Sequence, residues 1–252
     1  MNVNEIVVTV VMIILALVFF NRYQFWRIPK PANWPRLLMY HSISAETATG
    51  MNTPPEKFEA QVAWLKQQGY RFCTVSELLV SQKTPTTKAI AITFDDGFAN
   101  NYHQAFPILQ KYQVKSTIYL APDIADIDKL TPTQIAEMQL SGLIEFGAHS
   151  LSHVNLSQVS EVQARAEIIG SKARVEALTG QPCVSFAYPF GRYNEQAIAF
   201  VKEAGFTSAV TTKKKIIASM TQSALTIPRI STHGAMDKMQ FYVAVTRGRY
   251  KF

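Results

Sequence analysis

Short apolar runs alternate with longer amphipathic stretches along most of this chain, which predicts the α/β class: a parallel sheet or barrel with helices outside. A second observation agrees. Parallel α/β folds place their chemistry at the C-terminal ends of strands, and the most reactive side chains here all follow an apolar run. A third is negative: no repeat or low-complexity segment divides the 252 residues, so one main domain is expected.

Arg36–His41 reads as the first strand, and Pro55–Gln68 as a helix with proline in its first turn and Gly69 at its end. Ala89–Thr93 is a short apolar strand, Ala99–Tyr112 a helix and Ser116–Leu120 a strand. Thr131-Pro132 opens a helix to about Gln139, Leu143–Gly147 is a strand, and Ser160–Thr179 is a long helix stopped by Gly180. Val184–Tyr188, the helix Glu195–Ala204, the strands Thr207–Val210 and Leu225–Ile230, and the helix Asp237–Thr246 continue the pattern.

Ahead of this domain lies Ile6–Phe20, 15 residues without charge and apolar except for Thr9. As a helix it covers only about 22 Å of the ~30 Å hydrocarbon core of a bilayer. Tyr23, Phe25, Trp26 and Ile28 extend it and suit the interface. A cleaved signal would want a basic leading region and a small-residue cleavage site; the segment has Glu5 before it and Phe19-Phe20-Asn21-Arg22 behind. Residues 1–28 are therefore read as a single-pass membrane anchor, 29–35 as a proline-rich stalk and 36–252 as the functional domain. Arg22, Arg27 and Lys30 follow the span, and by the positive-inside rule would leave the domain in the cytoplasm.

The net charge of +7 and pI near 9.4 could favour anionic partners, but the charges are scattered and the densest cluster is Lys213-Lys214-Lys215. No nucleic-acid partner is expected. Cys73 and Cys183 stand far apart without a CxxC spacing and read as buried apolar residues rather than a disulfide or metal pair.

Asp95-Asp96-Gly97 sets two carboxylates side by side where a strand breaks. Two such neighbours do not both stay ionised cheaply unless a cation lies beside them. His149 and His153 are four residues apart, and one helical turn would put them on a common face suited to a single ion. One carboxylate and two imidazoles make an open three-ligand site that suits Zn²⁺, and also Fe²⁺, Co²⁺ or Ni²⁺. A free second carboxylate beside it can take a proton from water, which points to a hydrolase.

Thr93-Phe94-Asp95-Asp96-Gly97 followed by His149-Ser150-Leu151-Ser152-His153 resembles the first two motifs of the polysaccharide deacetylase family, the NodB homology domain. Phe186-Ala187-Tyr188-Pro189-Phe190-Gly191 resembles the third. The resemblance covers about Arg36 to the C-terminus and implies an irregular (β/α) barrel of about seven repeats. It also implies Asp95 as base, Asp96, His149 and His153 as metal ligands, and the Phe190 N–H as an oxyanion donor. Tyr188, Pro189 and Arg229 are expected on the substrate side.

Two departures qualify it. The arginine that many members carry two residues before the proline of the third motif, bonded to the catalytic Asp, is Ala187 here, and Arg229 is the candidate replacement. The usual late Leu-x-Leu-x-His motif is not matched, although Thr232-His233 lies in its region. Met39-Tyr40-His41-Ser42 instead resembles the permuted arrangement of biofilm poly-N-acetylglucosamine deacetylases, which makes His41 the expected general acid and His233 the alternative.

The implied reaction is metal-dependent removal of N-acetyl groups from a β-linked N-acetylglucosamine exopolysaccharide, with synthesis or export machinery as a partner. That function favours an extracytoplasmic domain, against the charge rule. A lipid-linked amino sugar at the membrane is the alternative substrate, and an inactive carbohydrate-binding scaffold the alternative class.

Overall fold

The computed structural model describes residues 2–24, 26–46, 48, 50–81 and 87–249. Phe25 of the expected span and residues 250–252 of the expected domain lie outside them.

Helix α1 (Val3–Tyr23) opens with a capping box, Asn2 and Glu5 satisfying each other's backbone N–H groups. Its 21 residues make about 31 Å of helix, longer than the uncharged run and close to a bilayer's hydrocarbon thickness. None of them is buried. The residues after it are not a free stalk: the Lys30 N–H donates to the Thr246 carbonyl (2.8 Å) and Arg36 Nε to that of Val245 (3.1 Å).

The domain begins with β1 (Arg36–Tyr40), a small parallel pair β2 (Ser42–Ile43) and β3 (Asn52–Thr53), and α2 (Pro55–Gln67). Next come β4 (Arg71–Phe72), α3 (Val75–Ser81), β5 (Ala89–Phe94), α4 (Phe106–Tyr112), β6 (Ser116–Leu120), α5 (Pro132–Leu140) and β7 (Ile144–Ala148). The chain continues through α6 (Glu161–Thr179), β8 (Ser185–Ala187), α7 (Glu195–Glu203), β9 (Ser208–Thr211), β10 (Ile227–Pro228), β11 (Ile230–Ser231) and α8 (Lys238–Arg247).

All the main-sheet pairings are parallel, in the order β10-β9-β8-β7-β6-β5-β1-β11, with β4 beside the start of β5. Because β10 and β11 are one course of chain interrupted at Arg229, these eight strands nearly close into a barrel. Helices cover it by apolar faces of helical period, such as Phe58, Val62 and Leu65 on α2, and Ile168 and Val175 on α6.

Strand alternation sorts the core into two clusters. Leu38, Tyr40, Ile92, Phe94, Ile118 and Phe186 face the helices. Their neighbours Leu37, Ala89, Ala91, Tyr119, Ala187, Val210 and Ile227 pack together inside the barrel. Small residues make the interior possible: a Cβ on Gly147 would stand 2.6 Å from the Tyr119 ring.

Several expectations are corrected. The strand expected at Leu225–Ile230 is two short segments broken at Arg229, whose side chain turns into the barrel interior. Ala99–Tyr112 is a π-helical turn (Asn101–Ala105) leading into α4, where Pro107 removes a backbone donor. Short β4 and α3 escape sequence periodicity because they hold too few residues to show one.

Candidate active site

The inward-facing positions of the strands, continued one step past their ends, give the centre of the site. Leu37 and Met39 lead to His41, Ala91 and Thr93 to Asp95, and Gly147 to His149. Asp96 by the same alternation would point away. It has φ 72 and is followed by Gly97 at φ 78, so two left-handed residues swing its carboxylate back beside that of Asp95. A non-glycine residue there costs on the order of 1–3 kcal/mol, a strain that clusters at functional sites.

His149 and His153 are not on a helix. They bracket a loop after β7 in which Ser150 (φ 59) and His153 (φ 56) are left-handed, and this brings the two rings to 4.8 Å between centroids. The loop is gripped by Glu167 of α6, which accepts from the Leu151 N–H (2.9 Å), the Ser152 N–H (3.0 Å) and the Ser152 hydroxyl. Sequence reasoning missed Glu167. Its only signal was a carboxylate on the buried face of α6, between Ala164 and Ile168.

Asp96, His149 and His153 each offer a ligand atom, all within 4.8 Å of one another. Asp96 Oδ1 is 3.6 Å from His149 Nε2 and 3.4 Å from His153 Nε2. Tetrahedral ligands at ~2.1 Å from an ion stand about 3.4 Å apart, so this spacing fits a divalent metal. That Oδ1 is buried with no hydrogen-bond partner among the described residues, an orphan that a cation would satisfy. Burial, then the charge of Asp95, push the Asp96 carboxyl up to about 7. His149 Nδ1 lies 2.7 Å from the Ala187 carbonyl, which accepts its proton and leaves Nε2 as the lone-pair nitrogen. Burial holds that imidazole down at about 3, and lowers His153 as well.

Asp95 is held differently. Arg229 Nη1 and Nη2 donate to its two oxygens at 2.6 and 2.7 Å, a two-pronged pairing in which the arginine is 0% exposed. Nη1 also donates to Thr93 Oγ1 (2.9 Å) and Nε to the Thr211 carbonyl (3.1 Å). Burial disfavours the charge on Asp95, but Arg229, His149 and His41 outweigh it and hold the carboxyl below the ordinary carboxylate range. Arg229 thus makes the pairing with Asp95 that position 187 lacks the side chain for, reaching it from the break between β10 and β11.

His41 Nε2 and His149 Nε2 each stand 4.0 Å from Asp95 Oδ2. His41 is lowered by burial, with Asp95 opposing. His233 is lowered first by burial, then by the charges of Lys214 and Lys57. Phe190 follows β8 with φ 57, next to Gly191 at φ 66 where a Cβ would collide with Thr212 Oγ1 at 2.0 Å. Its ring packs on His153 at 4.4 Å and is 58% exposed. Its N–H donates to no backbone acceptor among the described residues.

Tyr188, Pro189 and Arg229, expected on the substrate side, are all buried. The Tyr188 hydroxyl donates to the Leu225 carbonyl, Pro189 is buried, and Arg229 makes four hydrogen bonds to Asp95, Thr93 and Thr211. Cys73 and Cys183 are free thiols, both buried.

Residues 82–209 match the family model described as polysaccharide deacetylase. The Bacillus subtilis (strain 168) protein YxkH, named for the same family, is 34% identical over 84% of this chain and 76% of its own length. The chain belongs to the polysaccharide deacetylase family. A Staphylococcus aureus (strain MRSA252) relative named poly-β-1,6-N-acetyl-D-glucosamine N-deacetylase is 25% identical over 80% of this chain and 74% of its own. Among solved structures, the Streptococcus pyogenes deacetylase PplD in complex with acetate superposes with a TM-score of 0.76 at 26% identity, covering 86% of this chain and 99% of that one. The deacetylase barrel is therefore the fold of this chain.

Proposed function

We propose that this deacetylase hydrolyses N-acetyl groups from a β-linked N-acetylglucosamine exopolysaccharide, using a divalent metal held by Asp96, His149 and His153. The single observation that carries the reading is the orphaned Asp96 Oδ1 facing two imidazole nitrogens at metal-ligand spacing, beside a second carboxylate held ionised by Arg229. The name of the Staphylococcus aureus relative supports the substrate. One oxygen and two nitrogen donors favour zinc, with iron, cobalt or nickel possible. When bound, such an ion supplies Lewis acidity toward the acetamide carbonyl and acidifies water.

The protein's own groups divide the remaining work. Asp95 accepts the proton of the attacking water, with Arg229 and Thr93 fixing its orientation. The Phe190 N–H, which has no backbone acceptor among the described residues, donates to the oxygen that gains charge. His41 gives a proton to the departing amine; its place beside Asp95, against the lysine surroundings of His233, supports this choice. The role left to Tyr188 and Pro189 is to hold Phe190 in position.

We read α1 as a single-pass anchor with the domain outside the cytoplasm. A lipid-linked amino sugar is the second substrate, favoured because α1 meets the domain at Asp237, just beyond the rim end of β11.

The test is acetate release from a β-1,6-linked N-acetylglucosamine oligomer by the full chain in detergent, with metal content measured alongside. Activity should vanish with a chelator and return with zinc. His149→Ala should lose both metal and activity while keeping its circular dichroism spectrum. A chain that binds no metal and releases no acetate or free amine from either substrate class would leave the scaffold reading standing.

A further inference from the structure

The segment joining α1 to the barrel is fastened to α8 along its length. Tyr23 Oη donates to Asp237 Oδ2 (3.1 Å), with Arg22 also 3.8 Å from that carboxylate. Arg247 Nε donates to the Arg27 carbonyl at 2.7 Å, and Lys30 bonds Thr246. Asp237, where α1 takes hold, also walls a groove of about 710 Å³ between α2 and α8. Most of its lining surface is apolar, from Ala60, Trp64, Met236 and Phe241, and Glu56, Lys57, Gln61, Asp237 and Lys238 complete the wall. Trp64 stands edge-on to Phe241 and Tyr242 at 5.8 and 6.1 Å, and Met239 and Tyr242 are exposed on α8 beside it.

We propose that this groove receives the hydrocarbon chain of a bilayer lipid, so that α2 and α8 seat the domain on the membrane beside its anchor. The inference rests on the reading of α1 as a span. A helix that ends at Tyr23 leaves the bilayer within one side chain of the groove wall, which places the groove at head-group level rather than in bulk water. Trp64 and Tyr242 are the residue types that favour this interface. Lys57 and Lys238 stand in the lining with Glu56 and Asp237, so its charges balance and its apolar surface is what suits a hydrocarbon chain. A short, bonded connection also prevents the domain from swinging away, so the groove meets lipid whenever α1 is inserted. The consequence for function is a catalytic rim held at a fixed, small height above the bilayer.

The experiment uses the full chain in nanodiscs of anionic lipid with and without brominated acyl chains, which quench tryptophan by contact. Two single-tryptophan variants are compared: Trp26→Phe/Trp34→Phe, which keeps Trp64, and Trp34→Phe/Trp64→Phe, which keeps Trp26. Seating predicts that Trp64 emission is lost to brominated chains about as fully as Trp26 emission. Because these changes could perturb packing, the same question is put to Met239→Cys carrying an environment-sensitive fluorophore, with all tryptophans retained and both native cysteines buried. Its emission should shift to the blue on insertion. Quenching of Trp26 alone, with an unshifted label at residue 239, would overturn the groove proposal and leave the anchor intact. No quenching of either tryptophan would overturn the anchor reading and the seating with it.

Discussion

Arg229→Met tests whether the barrel interior is organised around one ion pair. The substitution keeps an unbranched apolar stem but leaves Asp95, 2% exposed, without the guanidinium that holds both its oxygens. Breaking a buried pair from one side costs about 3–5 kcal/mol, because the surviving charge stays desolvated. At roughly 2–4 °C per kcal/mol for a domain of this size, the melting temperature should fall by roughly 6–20 °C. Deacetylation should fall as well, since Asp95 loses the guanidinium that orients it and favours its ionised form.

The pH dependence has a definite sign. In the native protein the Asp95 carboxyl lies below its unfolded value of about 3.9, so its contribution is complete above that pH and is lost only as pH falls through the folded value. In the variant burial raises it instead, so stability declines as pH climbs above about 4. The gap between the two proteins should therefore widen from pH 4 to 7. Urea melts of the metal-free proteins measure this. A double-mutant cycle with Asp95→Asn should give a coupling energy of several kcal/mol; additivity within about 0.5 kcal/mol would refute the reasoning.

Removing the general acid should hurt the chemical step more than binding, so His41→Ala should lower kcat by roughly two to four orders of magnitude with normal metal content, and His233→Ala much less. The reverse ranking in steady-state kinetics would assign the acid to the later histidine. Glu167→Ala should weaken metal binding by about 10–100-fold in a chelator competition, with partial recovery in Glu167→Gln, because the ligand loop loses the acceptor of its Leu151 and Ser152 N–H groups. Unchanged affinity would make that contact incidental. A chain starting at Gln24 should be more stable than one starting at Pro31 by about 1.5–3 kcal/mol in denaturant melts, because the shorter one loses the Lys30 carbonyl that Arg36 holds. Equal midpoints would return residues 24–30 to the status of a simple tether.

The sequence alone determined the parallel α/β class, because burying both faces of a sheet imposes apolar strands in alternation with amphipathic helices. It also determined that His41, Asp95 and His149 share one rim, since each sits one alternate step beyond the inward face of its strand. The side chains that depend on backbone conformations or distant partners were less legible. Asp96 turns inward only through a left-handed backbone, and His153 approaches His149 through a loop rather than the helical turn its spacing suggested. Tertiary structure likewise decided which cation meets Asp95. Arg229 is 134 residues away, and strand closure rather than any local pattern brings it there, a contact the sequence offered only as an unmatched arginine. Tyr188 and Pro189 carry the family motif yet turn their side chains into packing, because the exposed position at that bend falls to Phe190. Spacing encodes what one element can present; where two elements meet is set by the packing of all the others.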